Sequence, residues 1–320
     1  MDRLSDNNSA LSKEKSACAL IDKAFHLSLS DGTTWSLRSD HHNFQWVSKL
    51  ATIMELDECA VNGSHELIFC RNANTDVGLD GMIDGVPSKS CSSGSSIYSY
   101  FYHHPTLRIW CHNSIPDVAC EVFFNDGAIT DYINMWFALH PIYQRSISKG
   151  GLPFHAGLVE LGGRGVLLAA SSDTGKSTCC RRLPDDWKPL CDDEALIVLD
   201  KNKNFRAHPF PTWSDYIERQ SEKTWNIQYS VPLSRVFFLE QSEIDEVAPI
   251  GEGEAALLIS ESAMQICEKF WRNASEEEQR NFRKMLFNNA CKMAKQIPAY
   301  RLGVSRNGRF WEKMEQVLER

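Results

Sequence analysis

The segment Val166-Leu-Leu-Ala-Ala-Ser-Ser-Asp-Thr-Gly-Lys-Ser-Thr178 is an apolar run followed directly by a short polar loop ending in Gly175, Lys176 and Ser177. A buried strand, a loop and then a helical stretch to about Leu183 is the order that a phosphate cradle needs. Successive backbone N–H groups in such a loop point at an anion, and the dipole of the following helix favours negative charge there. Ser172, Asp173, Thr174, Gly175, Lys176, Ser177 and Thr178 are the candidate nucleotide contacts. In that pattern the Lys176 ammonium neutralises the β and γ phosphates and the Ser177 hydroxyl ligates magnesium. A surface turn whose helix is capped by Ser171 or Asp173 would use the same residues.

The second chemical element is Leu190-Cys-Asp-Asp-Glu194, where two adjacent carboxylates repel unless a cation or a proton sits between them. Magnesium meets that need. In a kinase one such carboxylate holds the metal and another accepts the proton of the attacking hydroxyl. An acidic corner between a strand and a turn is the plainer alternative. Arg206, His208, Arg235 and Arg301 are candidate closing contacts for phosphate or acceptor, since a planar guanidinium pairs bidentately with such oxygens. An Arg at a strand edge is more often a solvated or salt-bridged surface residue. Cys179 and Cys180 fall in the first turns after the loop, where a helix amino end lowers a thiol pKa and would make them redox-sensitive. His41-His42 and His103-His104 read as structural, because neighbours on a strand point to opposite faces and no further ligand stands at metal spacing.

These residues need elements to position them. Phe154 to Leu161 and Val166 to Ala170 predict a hairpin across Gly162-Gly163-Arg164-Gly165, and Cys191 to Leu199, Phe205 to Phe210 and Arg235 to Leu239 predict further strands. Alternation puts His155 on the same strand face as Gly157, Val159 and Leu161, which also suits a satisfied inner-face histidine. Ala255, Ile259, Ala263, Ile266 and Phe270 mark one helix face. A second helix opens on the capping box Ser275 and Glu278, carries Phe282, Leu286, Ala290, Met293 and Ile297 inward, and stops at Pro298. A strand from Ala299 to Val304 and a helix from about Trp311 follow. Earlier in the chain the signals are weaker: a hairpin from His26 to Arg38 around Asp31-Gly32, a strand from Glu66 to Arg71, a strand or hairpin from Ser99 to Trp110 broken at Pro105, and a strand from Cys120 to Phe124. Ile129, Ile133, Trp136, Phe137 and His140 then recur with helical spacing up to Pro141.

The chain has 320 residues, 42% hydrophobic and 24% charged, which excludes fibrous and wholly disordered classes and predicts two domains. Residues 1–149 form an amino-terminal α+β domain in this reading, with residues 1–15 polar and frayed, and residues 150–320 form an α/β domain with a mixed sheet, joined at Lys149-Gly150-Gly151. A net charge of -8 argues against nucleic acid as a partner, because phosphate backbones are bound by clustered Lys and Arg. Eleven Cys without paired Cys-x-x-Cys knuckles predict reduced thiols and no structural zinc. Lacking a basic, apolar start or a long apolar run, the protein reads as cytoplasmic, with no membrane partner.

Phe154-His-Ala-Gly-Leu-Val-Glu-Leu161, the loop segment and Cys191-Asp-Asp-Glu194, in that order, resemble the catalytic core of the HPr serine kinase family. Arg206-Ala-His-Pro-Phe-Pro-Thr-Trp-Ser214 and Val231-Pro-Leu-Ser-Arg-Val-Phe-Phe-Leu-Glu240 more closely resemble the HPr-kinase-like protein of the SynChlorMet cassette, a gene set that also holds radical SAM enzymes. The resemblance spans about Gly151 to Arg320. It implies a phosphoenolpyruvate-carboxykinase-like nucleotide fold, ATP and Mg2+ as cofactors, and phosphorylation of a Ser or Thr hydroxyl on a peptide or protein acceptor. It further implies Lys176 as the phosphate clamp, Ser177 and Asp193 on the metal side, Asp192 as general base and His155 assisting near the γ phosphate. Radical SAM maturation enzymes are implied partners, and the family points to homo-oligomers. Ala170 and Asp173 stand where many members have glycine, and the glycine-containing signature tied to the reverse, phosphorolytic reaction has no counterpart. A nucleotide-responsive scaffold and a kinase of a small hydroxylated metabolite are the alternatives.

Overall fold

In the computed structural model the described residues are 20–60, 63–70, 98–104, 106–112, 118–122, 128–170, 174–270 and 274–319. The frayed start expected for residues 1–15 lies outside them.

The Asp31-Gly32 signal yields the predicted hairpin: β1 (Leu20–Ser28) and β2 (Thr34–Asp40) pair antiparallel with Leu27 opposite Trp35. The Asp31 carboxylate fixes the turn by accepting from the Thr33 N–H at 2.8 Å and the Thr33 hydroxyl at 2.7 Å. Next comes α1 (Phe44–Ile53), a helix not anticipated from the sequence although Trp46, Val47, Leu50 and Ala51 recur on one buried face. Then follow β3 (Asp57–Cys59), β4 (His65–Cys70), β5 (Tyr98–His104), β6 (Leu107–His112) and β7 (Val118–Val122). Among the described residues these strands form one mixed sheet in the order β3-β1-β2-β4-β7-β6-β5. Two helices come next, α2 (Ala128–Ala138) and α3 (His140–Ser148). Pro141 was expected to end a single helix, but it sits in the first turn of α3, where its missing N–H has no intrahelical partner to lose.

The second sheet begins with the expected hairpin, β8 (Leu152–Leu161) and β9 (Arg164–Ala169), followed by α4 (Lys176–Arg182). The single strand expected from Cys191 to Leu199 is broken into β10 (Lys188–Cys191) and β11 (Glu194–Leu199), with Asp192 and Asp193 forming the bend between them. Both pieces pair with the same side partner, β8. The chain continues through β12 (Phe205–Phe210), α5 (Trp213–Arg219), β13 (Val231–Gln241), β14 (Glu246–Pro249) and α6 (Glu252–Cys267), which runs into a 3-10 turn, Glu268–Phe270. It closes with α7 (Glu276–Gln296), β15 (Ala299–Val304) and α8 (Phe310–Leu318). The Ser275 hydroxyl accepts from the Glu278 N–H and the Glu278 carboxylate accepts from the Ser275 N–H, so the capping box is present. The mixed α/β class read from the sequence is what the structure has.

Pairing in this half follows a closed circuit, β8 to β11 to β12 to β13 to β9 and back to β8. The β9–β13 and β13–β15 pairs are parallel and the others antiparallel. Phe154, Ala156, Leu158, Leu167, Ile197 and Val236 pack inside, all with no exposed surface. Register then fixes the site: Ala169, at the end of β9, stands opposite Ala156, while His155 stands opposite Glu194, at the start of β11. The end of β9, His155 and the Asp192-Asp193 bend are thereby brought to one rim.

The first hairpin reaches across to the second sheet. The Ser30 N–H donates to His208 Nε2 at 3.1 Å and the Ser28 N–H donates to Gln228 Oε1 at 3.1 Å. Among the described residues no helix is long and apolar enough to cross a membrane.

Candidate functional site

Gly175 precedes α4 with φ of +105°, a left-handed conformation that a β-carbon makes costly, so glycine there lets the chain turn from loop into helix. Lys176 is then the first helical residue. It is almost wholly buried and its Nζ donates to the Ala170 carbonyl at 3.2 Å, across the mouth of the loop. Ser177 and Thr174 are half-buried and Thr178 is exposed. Ser171, Ser172 and Asp173 lie outside the described residues.

Close approach of α4 to β8 depends on Gly157. A β-carbon at that position would lie 2.6 Å from Cys180 Sγ and 3.6 Å from the Asp192 Cα. The missing side chain lets Cys180, on the helix that Lys176 opens, pack against β8, while the bend at Asp192 would lie at ordinary contact distance.

Two residues before Gly157, His155 contacts the Asp193 carboxylate directly. Its Nε2 stands 3.1 Å from Asp193 Oδ1, its Nδ1 bonds the Gln265 side chain, and its carbonyl accepts from the Ser262 hydroxyl at 3.1 Å. Burial raises the Asp193 pKa, but the hydrogen bond and charge of His155, with the charges of Lys176 and Lys269, outweigh it and hold the carboxyl below its ordinary value. Asp192 is placed differently, since its Oδ1 accepts from the neutral Thr212 hydroxyl at 2.7 Å, at the start of α5. The two adjacent carboxylates thus have unlike surroundings: one lies among cations and the other against a hydroxyl.

Sequence reasoning missed the layer beneath. Glu194 is buried, and its two oxygens accept from Trp136 Nε1 at 2.8 Å and from the Tyr143 hydroxyl at 2.9 Å. Lys269 lies 3.7 Å from Glu194 Oε1 and over the Trp136 ring. The one signal for it was a lysine between Cys267 and Phe270, at the end of an apolar helix face where a solvated residue is out of place.

Several expected contacts are used elsewhere. His208 has no exposed surface; its Nε2 accepts from Ser30 and its Nδ1 donates to the Ile227 carbonyl. With both nitrogens taken by the chain it has none left for a phosphate. Arg206 donates from Nε to the Ser230 hydroxyl at 2.9 Å and from Nη2 to the Ser230 carbonyl at 2.7 Å, bracing the same junction. Arg235 binds the Ser234 and Val317 carbonyls, and Arg301 pairs with Glu240 and Glu254 on the surface. Burial raises the Cys179 and Cys180 thiols above their ordinary value, the reverse of the lowering expected from a helix amino end. Among the described residues no group of three or more His, Cys, Asp and Glu side chains is arranged to hold a metal.

Comparison with known proteins bears on this half of the molecule. No curated protein matches the chain. Among solved structures, the HPr(Ser) kinase/phosphatase from Coxiella burnetii is similar with 12% sequence identity, over 52% of this chain and 87% of that one, with a TM-score of 0.28. Residues 118–319, more than half of the chain, match the family described as SynChlorMet cassette protein ScmC. That span begins at β7 and takes in the loop, the two aspartates, His155, Glu194 and Lys269, so the chain belongs to the ScmC family.

Proposed function

We propose that this rim transfers the γ-phosphoryl group of ATP to a hydroxyl, a Ser or Thr of a peptide or protein. The observation that supports the reading is the convergence there of Lys176, following a strand-to-helix loop, with Asp193 among cations and Asp192 against a neutral hydroxyl. Phosphoryl transfer needs positioning and charge neutralisation more than covalent chemistry, and these groups supply both.

Lys176 would clamp the β and γ phosphates, exchanging the Ala170 carbonyl for phosphate oxygen. The Ser177 hydroxyl and the Asp193 carboxylate are hard oxygen donors of the kind Mg2+ takes alongside phosphates and water. When bound, the metal would neutralise charge on the transferring group. Asp192, oriented by Thr212, accepts the proton of the acceptor hydroxyl as its oxygen bonds to the γ phosphorus; the bond to the bridging oxygen breaks and ADP leaves. His155 holds Asp193 in place and faces the same rim. The acceptor in this reading is a peptide of the same cassette that radical SAM enzymes also modify, phosphorylated in the cytoplasm.

The test is transfer of labelled γ-phosphate to candidate cassette peptides. Asp192→Asn should lower turnover by about 10²–10⁴-fold, the usual share of a general base, with ATP binding retained. A variant as active as the wild type excludes Asp192 as the base. One observation favours a second reading, a nucleotide-responsive scaffold: Lys176 and Asp193 are already paired within the chain, with Ala170 and His155. Peptide capture that survives both Lys176→Ala and Asp192→Asn, without transfer by the wild type, would select it.

A further inference from the structure

The phosphotransfer reading leaves one buried cation unused. Lys269 follows α6 in the 3-10 turn, and its ammonium lies 3.7 Å from Glu194 Oε1 and 2.9 Å from the centroid of the Trp136 ring. Its side chain is only 17% exposed and that of Glu194 only 3%. The two groups are buried together, so neutralising either leaves the other without its partner. Glu194 directly follows Asp193 in the chain and stands opposite His155 in the strand register, while His155 bonds Asp193. A shift of Glu194 therefore moves the peptide that carries Asp193. Glu194 is in turn fixed by Trp136 of α2 and Tyr143 of α3, both outside the second sheet.

We propose that Lys269 is a positioning residue of the phosphotransfer site, clamped between Glu194 and Trp136 so that it aims Asp193 and ties that setting to helices α2 and α3. The consequence for turnover rests on the phosphotransfer reading; the pairing itself does not. Lys269 touches no reacting atom. It screens two successive carboxylates that would otherwise repel, and the aromatic face stabilises its cation where water is scarce.

The test uses the full chain as wild type, Lys269→Met, Lys269→Arg, Glu194→Gln and the double variant Lys269→Met/Glu194→Gln. Thermal unfolding is measured without nucleotide, and kcat and KM for ATP with it. Each single neutralisation should lower Tm, and the double variant should regain part of the loss because no lone charge stays buried. In contrast kcat should fall roughly 10–100-fold in Lys269→Met and stay low in the double variant, the usual range for a residue that orients a ligand, with KM for ATP little changed. Lys269→Arg should recover most of it. A double variant with wild-type kcat reduces Lys269 to a counter-ion and overturns the proposal, as do additive Tm changes. If the wild type lacks ATP-dependent turnover, the phosphotransfer reading falls, and the Tm cycle alone then decides whether the pair is coupled.

Discussion

At the residue scale the informative contrast is between Asp192 and Asp193. They are chemically identical neighbours, yet Asp193 is held by His155 near two lysines while Asp192 faces the Thr212 hydroxyl. In the phosphotransfer reading proposed above, Asp193 is the metal-side carboxylate and Asp192, turned toward Thr212, meets the acceptor hydroxyl. Gly157 lets α4 approach β8 beside these carboxylates. Gly157→Ala should push Cys180 and α4 away from β8, cost about 1–3 kcal/mol of stability and weaken nucleotide binding more than a distant core change of equal stability cost. Calorimetric titration with Mg-ATP beside chemical unfolding would measure both; unchanged affinity would mean that the close approach does not set the site. Lys176, the aspartate pair and His155 were singled out in the sequence by type and order, and the strand register brings them to one rim. Glu194 and Lys269 were not, since their partners Trp136 and Tyr143 lie far off in the chain and only the fold brings them together.

At the scale of elements, strands were more legible than helices in the first part of the chain and breaks were less legible than runs. The hairpins at Asp31-Gly32 and Gly162-Gly163 follow from turn chemistry that acts locally. The break at Asp192-Asp193 does not, because no Gly or Pro marks it and Glu194, which opens β11, is as acidic as the two residues of the bend. His208 shows a related limit: its motif suggested a ligand contact, whereas it docks the first hairpin. Its burial lowers its pKa from 6.5 to about 4, and that of His140 falls to about 3. Both are therefore neutral when folded, and the unfolded chain binds more protons below pH 6.5. Stability is fully present above that pH and is lost as pH falls toward about 4 for His208. Each histidine adds a slope of about 1.4 kcal/mol per pH unit in its window. His208→Gln should flatten unfolding free energy against pH between 6.5 and about 4; a slope equal to the wild type would show that His208 is not the group that titrates.

At the scale of the whole molecule, the first sheet is more than an appendage to the second. Its hairpin is bonded to β12 through Ser30 and His208, and the helices that follow it bury the carboxylate next to Asp193. The central claim remains nucleotide binding at the loop. It is tested most directly by thermal unfolding of the wild type and of Lys176→Ala, each with and without saturating Mg-ATP. Ligand at about a hundred times its dissociation constant adds about 2.7 kcal/mol to the native state, so the wild type should unfold several degrees higher with nucleotide and Lys176→Ala should not. Equal shifts in both proteins, or none in either, would contradict the account.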